Sequence, residues 1–380
     1  MPLPTVFEPG ILRLPLFDDG HRTLAERIER WCADRQDTWA RPADAEPAGR
    51  CRALLADLGQ AGWLGHLHPD PDGSDLRSVC IRRQALAFHE DLADFVYSIQ
   101  ELTAAAIIRH GDDEQGRRHL PGLAAGTSAG ALALSEPGAG SDLASVVTRA
   151  ALDGDRWVIN GQKVWTSLAH VADWCFVLAR TEAGSRRGGG LSYLLVPMDQ
   201  PGITVRPIRQ MTGTAEFNEV FFDDARTAAV NVVGAPGDGW RIAKATLAIE
   251  RGAAMLGQQV GFRRDFEDLA EAARRSGASG NPLIRDRLAR AWIGLRIIRE
   301  YALDTLGTDD PARASVLKVL WSRWHRDLGE LAMDIVGPGS PDLHRWQRLF
   351  LFSRAETIYG GSDEIQHEII ATRALGLPRS

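Results

Sequence analysis

The feature that most constrains the fold of this 380-residue chain is a change, twice along its length, in the spacing of its apolar residues. From about Leu24 to Leu120 they recur at helical intervals, as in Leu24/Ile28/Trp31 and Leu86/Phe95/Ile99, interrupted by a turn cluster at Pro69-Asp70-Pro71-Asp72-Gly73. Between about Ala129 and Ala235 the pattern becomes short alternating or β-branched runs divided by Gly- and Asp-rich turns: Trp157-Val158-Ile159, Cys175-Phe176-Val177-Leu178, Ser192-Tyr193-Leu194-Leu195-Val196 and Glu219-Val220-Phe221-Phe222. After Gly237-Asp238-Gly239 the helical period returns and runs to the end, with Asp238 placed to cap a helix through Trp240, Ile242, Leu247 and Ile249. Side chains repeat every 3.6 residues in a helix and every 2 in a strand, so one element type cannot satisfy both patterns. The expected class is α+β, mostly α, with an N-terminal helical domain over 1–128, a middle antiparallel β-domain over 129–236 and a C-terminal helical bundle over 237–380.

A chain of this length with 44% hydrophobic residues can bury a core large enough to split into two or three domains. Its net charge of -6 gives no electrostatic reason to expect nucleic acid or an anionic membrane as partner. No apolar run approaches the ~20 residues of a membrane span. Met1-Pro2-Leu3-Pro4 lacks the basic and apolar stretches of a signal peptide, which leads to an expectation of a cytoplasmic protein. The scattered Cys32, Cys51, Cys80 and Cys175 suit free buried thiols in a reducing compartment, not a disulfide framework or thiolate metal site. There is no internal repeat, and no G-x-G-x-x-G turn to suggest a Rossmann nicotinamide site. Ser185-Arg186-Arg187-Gly188-Gly189-Gly190 reads as a mobile hairpin loop, and Thr308-Asp309-Asp310 as a solvated turn before Pro311. His66-x-His68 places two imidazoles on one face of an extended segment with no third ligand nearby, so no metal is expected.

Three strings carry chemistry. The first, Ala133-Leu134-Ser135-Glu136-Pro137-Gly138-Ala139-Gly140-Ser141-Asp142-Leu143-Ala144-Ser145, is a strand end entering a loop whose small residues let amides and a hydroxyl approach a flat ligand. The second, Gly161-Gln162-Lys163-Val164-Trp165-Thr166-Ser167, reads as the start of a later strand that offers an aromatic plane and a hydroxyl. The third, Ile358-Tyr359-Gly360-Gly361-Ser362-Asp363-Glu364-Ile365-Gln366, is a tight turn feeding a helix with an N-cap serine and an acidic first turn, and its exposed amides form an oxyanion site.

Together the strings resemble the signatures of the acyl-CoA dehydrogenase family, and the likeness covers most of the chain. It implies FAD enclosed by an N-terminal helical domain, a middle β-domain and a C-terminal four-helix bundle. By that resemblance Leu132, Leu134 and Ser135 line the flavin, with Gly140, Trp165, Thr166 and Ser167 also on the cofactor, and Ser141 faces substrate. Ser362, Asp363 and Glu364 contact the cofactor, Tyr359 and Gly361 flank the acyl group, and the Gly360 amide polarises a thioester carbonyl.

Removing a proton α to a thioester requires a carboxylate in a dry pocket. The best-known members of the family carry a glutamate base where Gly360 stands. Isovaleryl-CoA and long-chain acyl-CoA dehydrogenases instead place it before an arginine on an earlier helix, which Glu250-Arg251 resembles. Glu250 stands in an otherwise small and apolar stretch, Ala245, Leu247, Ala248, Ile249, Gly252, Ala253 and Ala254, where a charge is expected to be functional or paired. Glu250 is therefore the expected base, with Arg251 and Leu247 beside the substrate.

Two departures stand out. The family's Arg-x-x-Phe-Gly string, which binds the FAD pyrophosphate across a subunit interface, is replaced by Arg274-Arg275-Ser276-Gly277-Ala278-Ser279-Gly280-Asn281-Pro282, and its Gln-x-x-Gly-Gly string by Asp334-Ile335-Val336-Gly337-Pro338. Adenosine binding is then rearranged or tied to a different partner subunit. The resemblance implies an α,β-dehydrogenase for an acyl-CoA or acyl-carrier-protein thioester, an electron-transfer flavoprotein or other acceptor, and a homo-oligomer, dimer or tetramer. A flavin monooxygenase of the same fold and a non-catalytic subunit of a heteromeric dehydrogenase stay open as alternatives.

Overall fold

The computed structural model describes residues 6–8, 10–39, 47–67, 75–252, 254–306 and 311–378, and leaves the side chains of 47, 248–259 and 311 outside the description. The N-terminal residues 1–4, the turn at 69–73, His68 and the turn at 308–310 lie outside the described residues. Helices α1 (Asp19–Ala33), α2 (Gln36–Trp39), α3 (Pro47–Gln60), α4 (Leu76–His89), α5 (Asp91–His110) and α6 (Asp113–Ala124) come first. Strands β1 (Gly130–Ala133), β2 (Arg149–Asp153), β3 (Arg156–Ser167), β4 (Trp174–Arg180), β5 (Leu191–Pro197), β6 (Ile203–Ile208), β7 (Phe217–Ala228) and β8 (Val232–Val233) follow. Helices α7 (Gly239–Gly252), α8 (Ala254–Arg275), α9 (Pro282–Thr305), α10 (Pro311–Ile335), α11 (Leu343–Glu356) and α12 (Asp363–Ile369) complete the chain. This is the helix, strand, helix order that the apolar periods predict.

Helix ends follow local chemistry. Asp18 closes a capping box with His21 at the start of α1, and Asp112 accepts the Gln115 amide at 2.8 Å ahead of α6. Asn281 caps α9, whose first residue is Pro282. Asp238 precedes α7, where its carbonyl accepts the Ile242 amide at 3.1 Å and its carboxylate takes Arg241 at 2.9 Å.

The chain divides into two compact units. One comprises Asp37–Asp75 and Leu92–Ile249. Its sheet has the order β6-β7-β3-β2-β4-β5-β8, with β1 on β4. Pairing is antiparallel except that β4 takes β1 and β2 in parallel. No hairpin joins β1 to β4, so nothing forces them antiparallel. The sheet core contains Ile159, Cys175, Val177, Leu194, Val196, Val220 and Phe222. The Gly-rich stretch lies in the β4–β5 connection, where the Arg180 guanidinium donates to Ser185 Oγ (2.9 Å) and to the carbonyls of Arg187 (3.1 Å) and Gly189 (2.9 Å).

The other unit comprises Met1–Gln36, Leu76–Asp91 and Glu250–Ser380. Helices α8 to α11 close around Phe262, Leu269, Leu295, Ile298, Leu317, Trp321, Leu328 and Trp346, and α4 adds Cys80. Among the described residues no helix is long and apolar enough to cross a membrane.

Candidate active site

The expected site residues fall into two groups, one in each unit. In the sheet unit, the Gly161 to Ser167 string does not begin a strand; it closes β3. Two register shifts against β7, between Ile159 and Gly161 and between Lys163 and Thr166, carry one long strand through the motif. Gly161 (φ +156°) is required here, because a Cβ would fall 2.4 Å from Thr148 Oγ1. Trp165 is held at φ +62°, a costly conformation for a bulky aromatic, and its indole is 57% exposed, edge-on to Phe217 at 6.3 Å.

A buried ion pair joins this string to the first one. Lys163, fully buried, donates from Nζ to the Leu134 carbonyl at 2.9 Å and to Glu136 Oε1 at 2.8 Å. The Glu136 carboxylate also accepts the amides of Val147 (2.7 Å) and Thr148 (2.9 Å), and Val164 N–H donates to the Ser135 carbonyl at 2.9 Å. Burial is the largest influence on the Glu136 carboxyl and favours its neutral form. Lys163, Thr148 and Val147 outweigh it and hold the pKa below the ordinary carboxylate value. Burial draws Lys163 down to about 8 against the pull of Glu136, so the ammonium stays charged at neutral pH. The pair fixes Leu134 and Ser135 beside the second string. Leu132 faces Phe176 across β1 and β4, while Gly140 and Ser141 are exposed on the loop.

These residues fit a flavin. The Thr166 side chain is buried, and its Oγ1 has no hydrogen-bond partner among the described residues. Ser135 and Ser167 are half-buried and make no side-chain hydrogen bond there. A strained backbone turning a bare indole outward, beside hydroxyls without partners, is the donor set and flat surface that an isoalloxazine uses.

In the helical unit, α11 ends at Glu356 and α12 starts at Asp363, with Ser362 as N-cap. Gly360 (φ +64°) and Gly361 (φ +92°) make the turn between them. Fully buried Gln366 donates from Nε2 to the carbonyls of Gly360 (2.9 Å) and Gly361 (3.2 Å), and a Cβ on Gly361 would lie 2.4 Å from that nitrogen. With the carbonyls tied inward, the amides of Gly360 and Gly361 have no acceptor among the described residues. The Asp363 carboxylate takes Arg323 at 2.8 Å, while Glu364 is exposed. The half-buried Tyr359 ring lies 6.4 Å from both Trp321 and Phe352.

Behind the turn lies a charged network. Glu356 is buried and meets His325 Nδ1 at 2.7 Å, Asp265 lies 3.5 Å from His325 Nε2, and Arg345 joins Asp265 at 2.9 Å. Burial is the largest influence on the imidazole and favours its neutral form, but Glu356 and Asp265 outweigh it and push the pKa up to about 10. His325 is therefore a buried cation between two carboxylates.

Leu247 is half-buried on α7, next to the buried Thr246. Glu250 and Arg251 lie on the last turns of α7, and their side chains are outside the described residues. Tyr97 on α5 is fully buried with its hydroxyl 3.1 Å from His66 Nε2. Among the described residues no group of His, Cys, Asp and Glu could hold a metal. All four thiols are free and buried, and burial pushes Cys51 up to about 11 and Cys80 and Cys175 to about 12, which makes them poor nucleophiles. In the departing segments Arg274 pairs with Glu271 (2.5 Å), Arg275 with Asp342 (3.0 Å) and Asp334 with Arg287.

Family models for the acyl-CoA dehydrogenase N-terminal, middle and C-terminal domains match residues 18–127, 131–225 and 237–375. The chain belongs to the acyl-CoA dehydrogenase family; it is an FAD-dependent flavoprotein oxidoreductase acting on CH-CH groups. It is 62% identical over 342 residues to acyl-CoA dehydrogenase IpdE1 of Mycobacterium tuberculosis, covering 86% of this chain and 87% of that protein. Among solved structures it resembles the ChsE4-ChsE5 complex from Mycobacterium tuberculosis, with TM-score 0.83 and 27% identity over 96% of this chain and 99% of that one. It also resembles the Tcur3481-Tcur3483 steroid ACAD, with TM-score 0.81 and 26% identity over 99% of this chain and 100% of that one.

Sequence reasoning left Lys163, Lys318, His325 and Gln366 without a role. Lys318 had a visible signal, since it stands alone in Val316-Leu317-Lys318-Val319-Leu320-Trp321 just as Glu250 stands in its apolar stretch. His325 had none, because it acts on residues that only folding brings near; Gln366 lies inside the Tyr359 string and holds carbonyls of that same string.

Proposed function

We propose that this chain catalyses α,β-dehydrogenation of an acyl thioester, with Glu250 as the base. The observation that carries this reading is the 360–361 turn: two amides with their carbonyls tied back, no side chain at Gly360, and a glutamate-arginine pair on α7 to supply what that position lacks. Gly360 N–H donates to the thioester carbonyl and stabilises the charge that develops when the α-proton leaves. Glu250 takes that proton, and Tyr359, Gly361, Leu247, Arg251 and Ser141 contact the acyl thioester. Bound FAD supplies a hydride acceptor. Leu132, Leu134, Ser135, Gly140 and the Trp165 to Ser167 segment hold its flavin, with Ser362, Asp363 and Glu364 also on the cofactor.

The division into 1–128, 129–236 and 237–380 belongs to the same reading, as do a cytoplasmic location and an electron-transfer flavoprotein or similar acceptor. Likeness to a steroid ACAD supports a bulky, ring-bearing acyl group on coenzyme A. A second reading concerns assembly. Arg274, Arg275 and Asp334 are each engaged in an ion pair, which favours an FAD site completed by a different subunit over a homo-oligomer, and likeness to the ChsE4-ChsE5 complex supports the same view.

The test is anaerobic mixing of the yellow protein with octanoyl-CoA, isovaleryl-CoA and a steroid side-chain acyl-CoA. At least one bleaches the wild type, and Glu250→Gln abolishes bleaching with FAD still bound. Retained turnover in Glu250→Gln would remove the base assignment, and oxygen consumption without bleaching would favour a monooxygenase.

A further inference from the structure

Lys318 on α10 is 2% exposed and packs against the turn that carries Gly360. Its ammonium donates to the carbonyl of Glu356, the last residue of α11. It also sits 4.7 Å from the Trp321 ring centroid and 5.3 Å from that of Tyr359. Its Cε lies 3.4 Å from where a Cβ on Gly360 would be. One buried cation therefore touches the residue before the turn, the aromatic beside it and the space beneath it.

We propose that Lys318 is a positioning residue that holds the 356–361 turn in the conformation presenting the Gly360 amide. The physical case rests on three features. A helix C-terminus ends in carbonyls without intrahelical partners and carries negative partial charge, so a cation there is favourable. Two aromatic faces add cation–π attraction, which grows when the cation is desolvated. The methylene stem fills the space below Gly360, so the backbone at φ +64° cannot collapse toward α10. Gln366 holds the turn's own carbonyls from α12, so the turn is gripped from two helices and its amides are left pointing at neither. The role in catalysis rests on the dehydrogenase reading above; the role in holding the turn does not.

The experiment compares FAD-loaded wild type with Lys318→Met, Lys318→Gln and Lys318→Arg. Exchange of the Ile358 and Tyr359 amides, which donate to the Ala355 carbonyl at 2.9 Å, is expected to quicken about tenfold in the Met variant and less in the Gln variant, with the interiors of α10 and α11 unchanged. In single-turnover reduction by the acyl-CoA that bleaches wild type fastest, the Met variant loses about tenfold in maximal rate at unchanged half-saturation, and Arg restores part of it. Wild-type exchange at the turn in any folded neutral variant would overturn the proposal, as would a defect confined to half-saturation. Should neither neutral variant fold, Trp321→Phe decides: it thins the aromatic cage and is expected to quicken the same amides several-fold, and unchanged exchange would refute the role. If no acyl-CoA bleaches the wild type, the dehydrogenase reading fails while the exchange measurement still decides what Lys318 does.

Discussion

The two groups of candidate residues, one in each unit, are held in place by different means. In the sheet unit, one buried salt bridge, Glu136 to Lys163, ties the Ser135 and Trp165 strings together, and both members belong to those strings. In the helical unit, the Gly360 turn is held by Lys318 and Gln366, and Glu356 beneath it by His325; Lys318 and His325 come from α10. Two strings can carry their own clamp when the loop after one strand packs against another strand. The turn between helices takes one clamp, Gln366, from its own string and borrows the other, Lys318, from α10. The second arrangement leaves little trace in a short sequence window, because the lysine and the carbonyl it holds are 38 positions apart.

The comparison can be broken by removing each clamp. Lys163→Met strands a buried carboxylate and is expected to cost about 3–5 kcal/mol in urea unfolding, with loss of FAD. A double variant with Glu136→Leu should recover only part of this, since the Val147 and Thr148 amides then lose their acceptor. Gln366→Leu frees two carbonyls and should cost about 1–3 kcal/mol and slow flavin reduction while FAD stays bound.

The pH dependence sharpens the contrast, because the two clamps respond in opposite directions. His325 has its pKa raised to about 10, so its contribution is complete below the ordinary 6.5 and is lost as pH rises toward 10, by up to ~1.4 kcal/mol per pH unit. His325→Gln should flatten that alkaline slope in urea midpoints. Glu136 has its pKa lowered, so its contribution is complete above the ordinary 4.5 and disappears as pH falls through the folded value. Glu136→Gln should flatten the acid slope. The smallest effect is expected of Trp165→Gly, which relieves the φ +62° backbone: stability should hold or rise by about 1 kcal/mol while FAD affinity falls.

Much of the fold was legible. The shift from period 3.6 to period 2 and back located the strands Trp157 to Ile159, Cys175 to Leu178 and Ser192 to Val196, since side-chain direction is a local property. The placement of the Gly161 to Ser167 string was not. Two bulges let β3 continue through glycine and a positive-φ tryptophan, which a reading of propensity takes as a strand boundary.

The sequence by itself determined the family, the cofactor and the residue types at the flavin strings and the Gly360 turn, because these are short contiguous patterns whose backbone demands are local. Tertiary structure alone decided that Lys163 meets Glu136 and that Lys318 and His325 stand behind the Gly360 turn. Those are contacts between segments far apart in the chain, and they exist only once the apolar faces of β3, α10 and α11 have been buried.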